Sequence, residues 1–137
     1  MITRYLLLLL LFFISLRASS IYLLVPMDDT QKNHLKAYGI AYWVLQKDVE
    51  VKWLLNYRGG SFLIQHSPSF ENECLVRGVS CESITDAQAA AILEEIAQPD
   101  MNQDAVAMNK APKIAVYSPP NKQPWDDAVT LVLTYAE

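Results

Sequence analysis

At 137 residues the chain suits one small domain. Its 15 acidic residues outweigh 11 basic ones for a formal charge of −4, which argues against a nucleic-acid partner, because phosphate-backbone binding needs a basic patch. With 2 cysteines and 2 histidines, no clustered metal-ligand set stands out.

Residues 1–20 have the form of an export leader. Met1-Ile-Thr-Arg4 is a short polar lead with one basic residue, Tyr5 to Leu16 is apolar, and Arg17-Ala-Ser-Ser20 follows. An apolar run of that length falls short of the roughly 20 residues of a membrane span. It suits the core of a secretory signal peptide, and Ala18-x-Ser20 supplies small residues for cleavage. An uncleaved anchor or a buried helix is the competing reading. Cleavage makes Ile21 the first mature residue and leaves no stable membrane span, in the periplasm or outside the cell. No Cys lies near the junction, so a lipoprotein anchor is not indicated. Two of the 11 basic residues, Arg4 and Arg17, leave with the leader and none of the 15 acidic ones does, so the charge of the remainder falls from −4 to −6.

From Ile21 to Ile64 the pattern reads strand, polar turn, helix, strand, glycine-paired loop, the outline of a β-α-β unit. Ile21–Met27 is an apolar strand that Pro26 brings toward an edge. Asp28-Asp29-Thr30 then offers capping side chains before Gln31. In an open α/β sheet ligands collect where strands hand over to helices, so Asp28 and Asp29 fit a cation or a substrate hydroxyl as well as a plain cap. The helix predicted from Gln31 to about Lys47 carries Leu35, Tyr38, Ala41, Tyr42 and Leu45 on one stripe. Gly39 in its middle costs about 1 kcal/mol against Ala, which points to a close backbone approach. Trp43 falls among the lysines, where it fits lysine stems, a partner protein or a later piece of the chain. His34 reads as a capped or packed histidine.

Val49–Tyr57 alternates as a strand with one buried face. In Arg58-Gly59-Gly60-Ser61 the glycines permit positive φ and leave amides unobstructed, and the guanidinium suits a carboxylate or phosphate. A small polar ligand there and a plain tight turn before Phe62 both account for these residues. Ser67-Pro68 opens a short helix that Gly78 closes. Val79–Ile84 is a brief strand, and Thr85-Asp-Ala-Gln88 a capping box for a helix ending before Pro99. Cys74 falls in the first of these helices and Cys81 in the strand after it. An oxidising compartment permits a disulfide, while two small, buried or half-buried thiols fit as well; the spacing matches neither a zinc site nor a CxxC pair. Residues 99–112 read as a polar connector, Lys113–Tyr117 as a buried strand, and Trp125–Glu137 as an amphipathic helix whose first turn holds Asp126 and Asp127.

Alternating strands and helices predict an α/β chain, a layered, mostly parallel sheet flanked by helices and incomplete at its C-terminus. No nucleophile elbow, Walker loop or dinucleotide fingerprint is present, so no catalytic residue, metal ligand or cofactor is assigned.

Through PMDDTQKNHLKAYGIAYW, WLLNYRGGSF and KIAVYSPPNKQPWDDAVTLVLTYAE, the chain resembles exported bacterial proteins labelled asparagine synthetase B. The sheet domain of that group is similar to the class I glutamine amidotransferase-like, flavodoxin-like fold. The resemblance implies an N-terminal α/β segment over 21–98, a connector over 99–112, and the opening strand and helix of a truncated amidotransferase-like domain over 113–137. The residues depart from the chemistry of the label. Asparagine synthetases use a Cys directly after the initiator Met, where this chain has Ile2, and an SGGxDS loop that this chain lacks. Neither Cys74, between Glu73 and Leu75, nor Cys81, between Ser80 and Glu82, sits in a GxCxG-like elbow. Three functions follow as expectations: an exported binder of a small polar ligand at Asp28, Asp29 and Arg58–Ser61; an amide-nitrogen enzyme with its nucleophile beyond Glu137; and an envelope protein that meets a partner, or the rest of its own chain, through Trp43.

Overall fold

A computed structural model describes residues 21–117 and 128–136. The leader expected over 1–20, the proline-rich loop from Ser118, and Asp126 and Asp127 lie outside those residues.

Among the described residues, five strands and four α-helices follow one another. Strand β1 is Ile21–Val25, helix α1 His34–Leu45, β2 Val51–Leu55 and β3 Phe62–Gln65. Helix α2 is Pro68–Arg77, β4 Glu82–Thr85, α3 Asp86–Ile96, β5 Asp104–Met108 and α4 Ala128–Ala136. Local chemistry sets the boundaries. Helix α1 starts three residues later than expected, because Asn33 is its cap: the Lys36 amide donates to Asn33 Oδ1 at 3.1 Å. Pro68 opens α2 in its first turn, where a missing N–H costs nothing. Gly78, at φ 71°, closes α2. The Val79 amide donates back to the Cys74 carbonyl at 2.8 Å and the Gly78 amide to that of Leu75 at 3.2 Å, a Schellman ending. At Thr85 the expected capping box is complete.

The expectation of a mostly parallel sheet, as in amidotransferase-like and flavodoxin-like folds, is overturned. The five strands lie in the order β4-β1-β3-β2-β5, and every neighbouring pair is antiparallel. The tight reversal after β2 is the cause. It lays β3 between β1 and β2, so these two run parallel without touching, each paired to β3. The same split recurs when β3 and β4 both pair with β1. The first six elements thus trace the β-α-β-β-α-β connectivity of the ferredoxin-like motif, with α3 and β5 added.

Alternation along the strands builds two cores. Leu23, Val25, Val51, Phe62 and Ile64 face α1 and α2, meeting Ala37, Ile40, Ala41, Val44, Phe70 and Cys74. Leu24, Leu54, Leu63 and Ile84 face the other way, against Ala89 and Ile96 of α3. Strands β1 and β3 are apolar on both faces because both faces are covered. Each fully buried Leu or Ile contributes about 1.5–3 kcal/mol relative to exposure. Six of them, Leu23, Leu24, Ile40, Leu54, Leu63 and Ile64, rank among the largest fully buried side chains.

Two expected elements fall elsewhere. The stretch expected as a connector contains β5, which extends the sheet beyond β2 from Asp104 to Met108. Lys113–Tyr117, expected as a buried strand, has no strand structure and lies exposed, Ile114 at 53% and Tyr117 at 86%. Helix α4 buries none of its residues, and Leu131 on its outer side is 72% exposed. Among the described residues no helix is long and apolar enough to cross a membrane.

Candidate functional site

Two places draw functional side chains together. The first is the corner where the β1–α1 loop, the β2–β3 reversal and the start of β4 converge. Asp28 ends the strand segment in an Asx turn: the Thr30 amide donates to Asp28 Oδ1 at 3.1 Å, and the Thr30 hydroxyl donates to the same oxygen. Its other oxygen faces Arg58, whose Nε donates at 2.6 Å. The rest of the guanidinium engages Glu82 as a fork, Nη1 to Oε2 at 3.0 Å and Nη2 to Oε1 at 2.9 Å. Nη2 also reaches the Thr30 hydroxyl at 3.4 Å. Hydrogen bonds from Arg58 and then Thr30 hold the Asp28 carboxyl down at about 2. The Glu82 and Asp28 carboxylates push Arg58 above its ordinary value.

The glycine pair serves the turn. Asn56, Arg58, Gly59 and Gly60 all have positive φ, of 60°, 44°, 79° and 94°. A Cβ on Gly59 would overlap the Met27 carbonyl. The amides of Gly60 and Ser61 donate to the Tyr57 carbonyl at 3.0 and 3.1 Å, while the Arg58 carbonyl receives the Met27 amide at 3.1 Å. Ser61, fully buried, donates its hydroxyl to that same carbonyl at 3.2 Å. Trp53 Nε1 donates to the Gly60 carbonyl at 3.1 Å.

The corner therefore unites Asp28, Arg58, Gly59, Gly60 and Ser61, while Asp29 stands exposed beside it. Two carboxylates already surround the one guanidinium, so the charge left over is negative. Sequence reasoning missed Glu82 and Gln31. The Gln31 amide, 6% exposed, donates to the Pro26 carbonyl at 2.7 Å and the Ser80 carbonyl at 3.1 Å, and accepts from the Ser80 amide at 2.8 Å. A buried polar residue with every group partnered is a tie between segments. His34 Nε2 lies 3.2 Å from the Met27 carbonyl, to which it donates.

The second place is a cleft of about 580 Å³ between α1 and α4. Tyr38, Tyr42 and Trp43 line it from α1, Leu133 from α4 and Ile114 from the exposed segment, with Arg77 of α2 at its side. Gly39 makes the approach of α4 possible, since a Cβ there would overlap the Ala136 carbonyl. Asn33 contributes twice: its Oδ1 caps α1, and its Nδ2 donates to the Tyr135 hydroxyl at 2.7 Å. Lys36 stands 5.2 Å from the centre of the Tyr135 ring. Arg77 Nε donates to Glu73 at 2.7 Å, and Nη1 reaches the Ala136 carbonyl at 3.4 Å. Trp43 packs edge-on against Phe70, ring centres 5.7 Å apart, with Lys47 at 4.5 Å and Arg77 at 5.7 Å from its own ring centre. The residue that helical spacing set among the lysines thus joins α1 to α2 and also forms a wall of the cleft.

Among the described residues, no group of three or more His, Cys, Asp or Glu is placed to hold a metal ion. Comparison of the chain with protein-family models, with curated proteins and with solved structures finds no match in any of the three.

Proposed function

We propose that this chain is an exported binding protein that takes a small, flat, largely apolar molecule in the cleft between α1 and α4. One observation carries the reading: about 580 Å³ of space walled by Tyr38, Tyr42, Trp43, Ile114 and Leu133, with the Arg77 guanidinium beside it. Ligand sites of small molecules have this size and make-up, mostly apolar and aromatic with few polar groups. The corner around Arg58 is the weaker candidate, because its cation is already taken up by Asp28 and Glu82. Export rests on the leader and on the resemblance to exported proteins.

The test uses two fluorescent naphthalenes, neutral N-phenyl-1-naphthylamine and the anionic anilinonaphthalene sulfonate, titrated into folded protein. Saturable binding of one probe per chain, weakened about tenfold or more by Leu133→Asp with unchanged circular dichroism, is the expected result. Binding that Leu133→Asp leaves intact would place the probe elsewhere and end the proposal. Preference for the anionic probe that disappears in Arg77→Gln would assign the guanidinium its part.

A further inference from the structure

Cys74 and Cys81 are separated by the end of α2, and that ending brings them back together. The Schellman turn at Gly78 reverses the chain, so Cys81 packs against the core cluster to which Cys74 belongs. The Val79 amide on the Cys74 carbonyl, at 2.8 Å, leaves Cys81 only two residues beyond a direct contact with Cys74, and the two cysteines share one core cluster. Both are free cysteines here, and their surroundings differ. Cys74 is fully buried, whereas Cys81 is half-buried. Cys81 also lines an open groove of about 600 Å³ with Lys32, Glu71, Asn72 and Ser80.

We propose that Cys74 and Cys81 form a redox-active dithiol in which Cys81 attacks and Cys74 resolves, with an external disulfide as the oxidant. The Cys81 thiolate attacks one sulfur of the external disulfide through the groove. One S–S bond breaks, a mixed disulfide forms, and the released thiolate takes up a proton. Cys74 then gives up its proton and attacks Cys81 Sγ, forming the Cys74–Cys81 bond and releasing the second thiol. Two protein thiols and one disulfide become one protein disulfide and two thiols, so electrons and protons balance.

The division of roles follows from the environment. The Cys74 thiol holds the Cys81 thiol below its ordinary value, which favours the nucleophilic form at the accessible sulfur. Cys74 is pushed upward by Cys81 and by burial, so it stays protonated until a mixed disulfide forms beside it. The product bond would tie the last turn of α2 to the residue preceding β4. Such a short link limits the accessible unfolded states only modestly, so its consequence lies at the groove that Cys81 lines.

The test starts from the reduced, folded wild-type chain with glutathione disulfide. Trypsin separates the cysteines after Arg77, so closure yields peptide 59–77 disulfide-linked to peptide 78–110, which non-reducing mass spectrometry identifies directly. Cys74→Ser should stop with one glutathione on Cys81. Brief alkylation of the wild type should label Cys81 about tenfold or more ahead of Cys74, a readout that needs no variant. Failure of the linked pair to form in excess oxidant, although both thiols label after denaturation, would overturn the proposal. Equal labelling rates in the folded protein would overturn the assignment of roles.

Discussion

Arg58 occupies a left-handed conformation at φ 44°, which costs a non-glycine residue about 1–2 kcal/mol. The offset is visible in its side chain, which binds two carboxylates from two other segments. Substituting Asp28 tests the electrostatic half of that arrangement. Because the folded-state value is depressed, the contribution of Asp28 is fully present above its ordinary value and is lost as protonation sets in. Asp28→Asn should therefore lower the melting temperature at pH 7, and the gap to wild type should close between about pH 4 and pH 2, as the carboxyl passes from its ordinary 3.8 to about 2. Thermal unfolding followed by circular dichroism across that range checks it. A gap that stayed constant down to pH 2 would mean the Asp28 charge has no role. Much of this corner was legible, because an Asx turn and a glycine pair are local signals. Glu82 was not, since its bond to Arg58 spans 24 positions in sequence and nothing near β4 announces it.

Gly39 is the clearest case of an element positioned by one missing atom. In an isolated helix Ala would be favoured there by about 1 kcal/mol. In this protein Gly39→Ala should instead force α4 away from α1, since the new Cβ would collide with the Ala136 carbonyl. Hydrogen exchange should show amides of α4 opening about tenfold faster or more, with α1 unchanged or better protected. Unchanged exchange in α4 would mean the two helices do not rest on each other through Gly39. The sequence suggested a close approach at this glycine but not the partner, which lies nearly a hundred residues on. Strand pairing was hidden for a similar reason. Alternation in Val51–Leu55 and Phe62–Gln65 shows which side chains share a face, yet an ordinary β-α-β unit and a split one have the same period. Strand β5, Asp-Ala-Val-Ala-Met, lacks the bulk that marks a strand, and as an outer strand it needs little more than backbone bonds to β2. Lys113–Tyr117 has that bulk without a paired neighbour among the described residues.

For the molecule as a whole, the export proposal makes one concrete prediction. Chain expressed with residues 1–20 in a secreting bacterium should be recovered outside the cytoplasm with Ile21 at its N-terminus. Amino-terminal sequencing reads this directly, and recovery of intact chain starting at Met1 would remove the export proposal. The cleft escaped sequence reasoning because its walls come from α1, α2, α4 and Ile114. Only the tertiary arrangement gathers them, so no window along the chain could have displayed it.

The position of β1 has a consequence for how the chain assembles. The first strand among the described residues lies inside the sheet, with β3 on one side and β4 on the other. Its partners arrive late, the farthest at Thr85, opposite Ile21. Until that residue is free to pair, β1 keeps one unsatisfied edge, and closing so long a loop slows folding. A polypeptide of this design stays open while it is being made. Under the export proposal, that delay suits a chain that would cross a membrane as an unfolded thread before it sets.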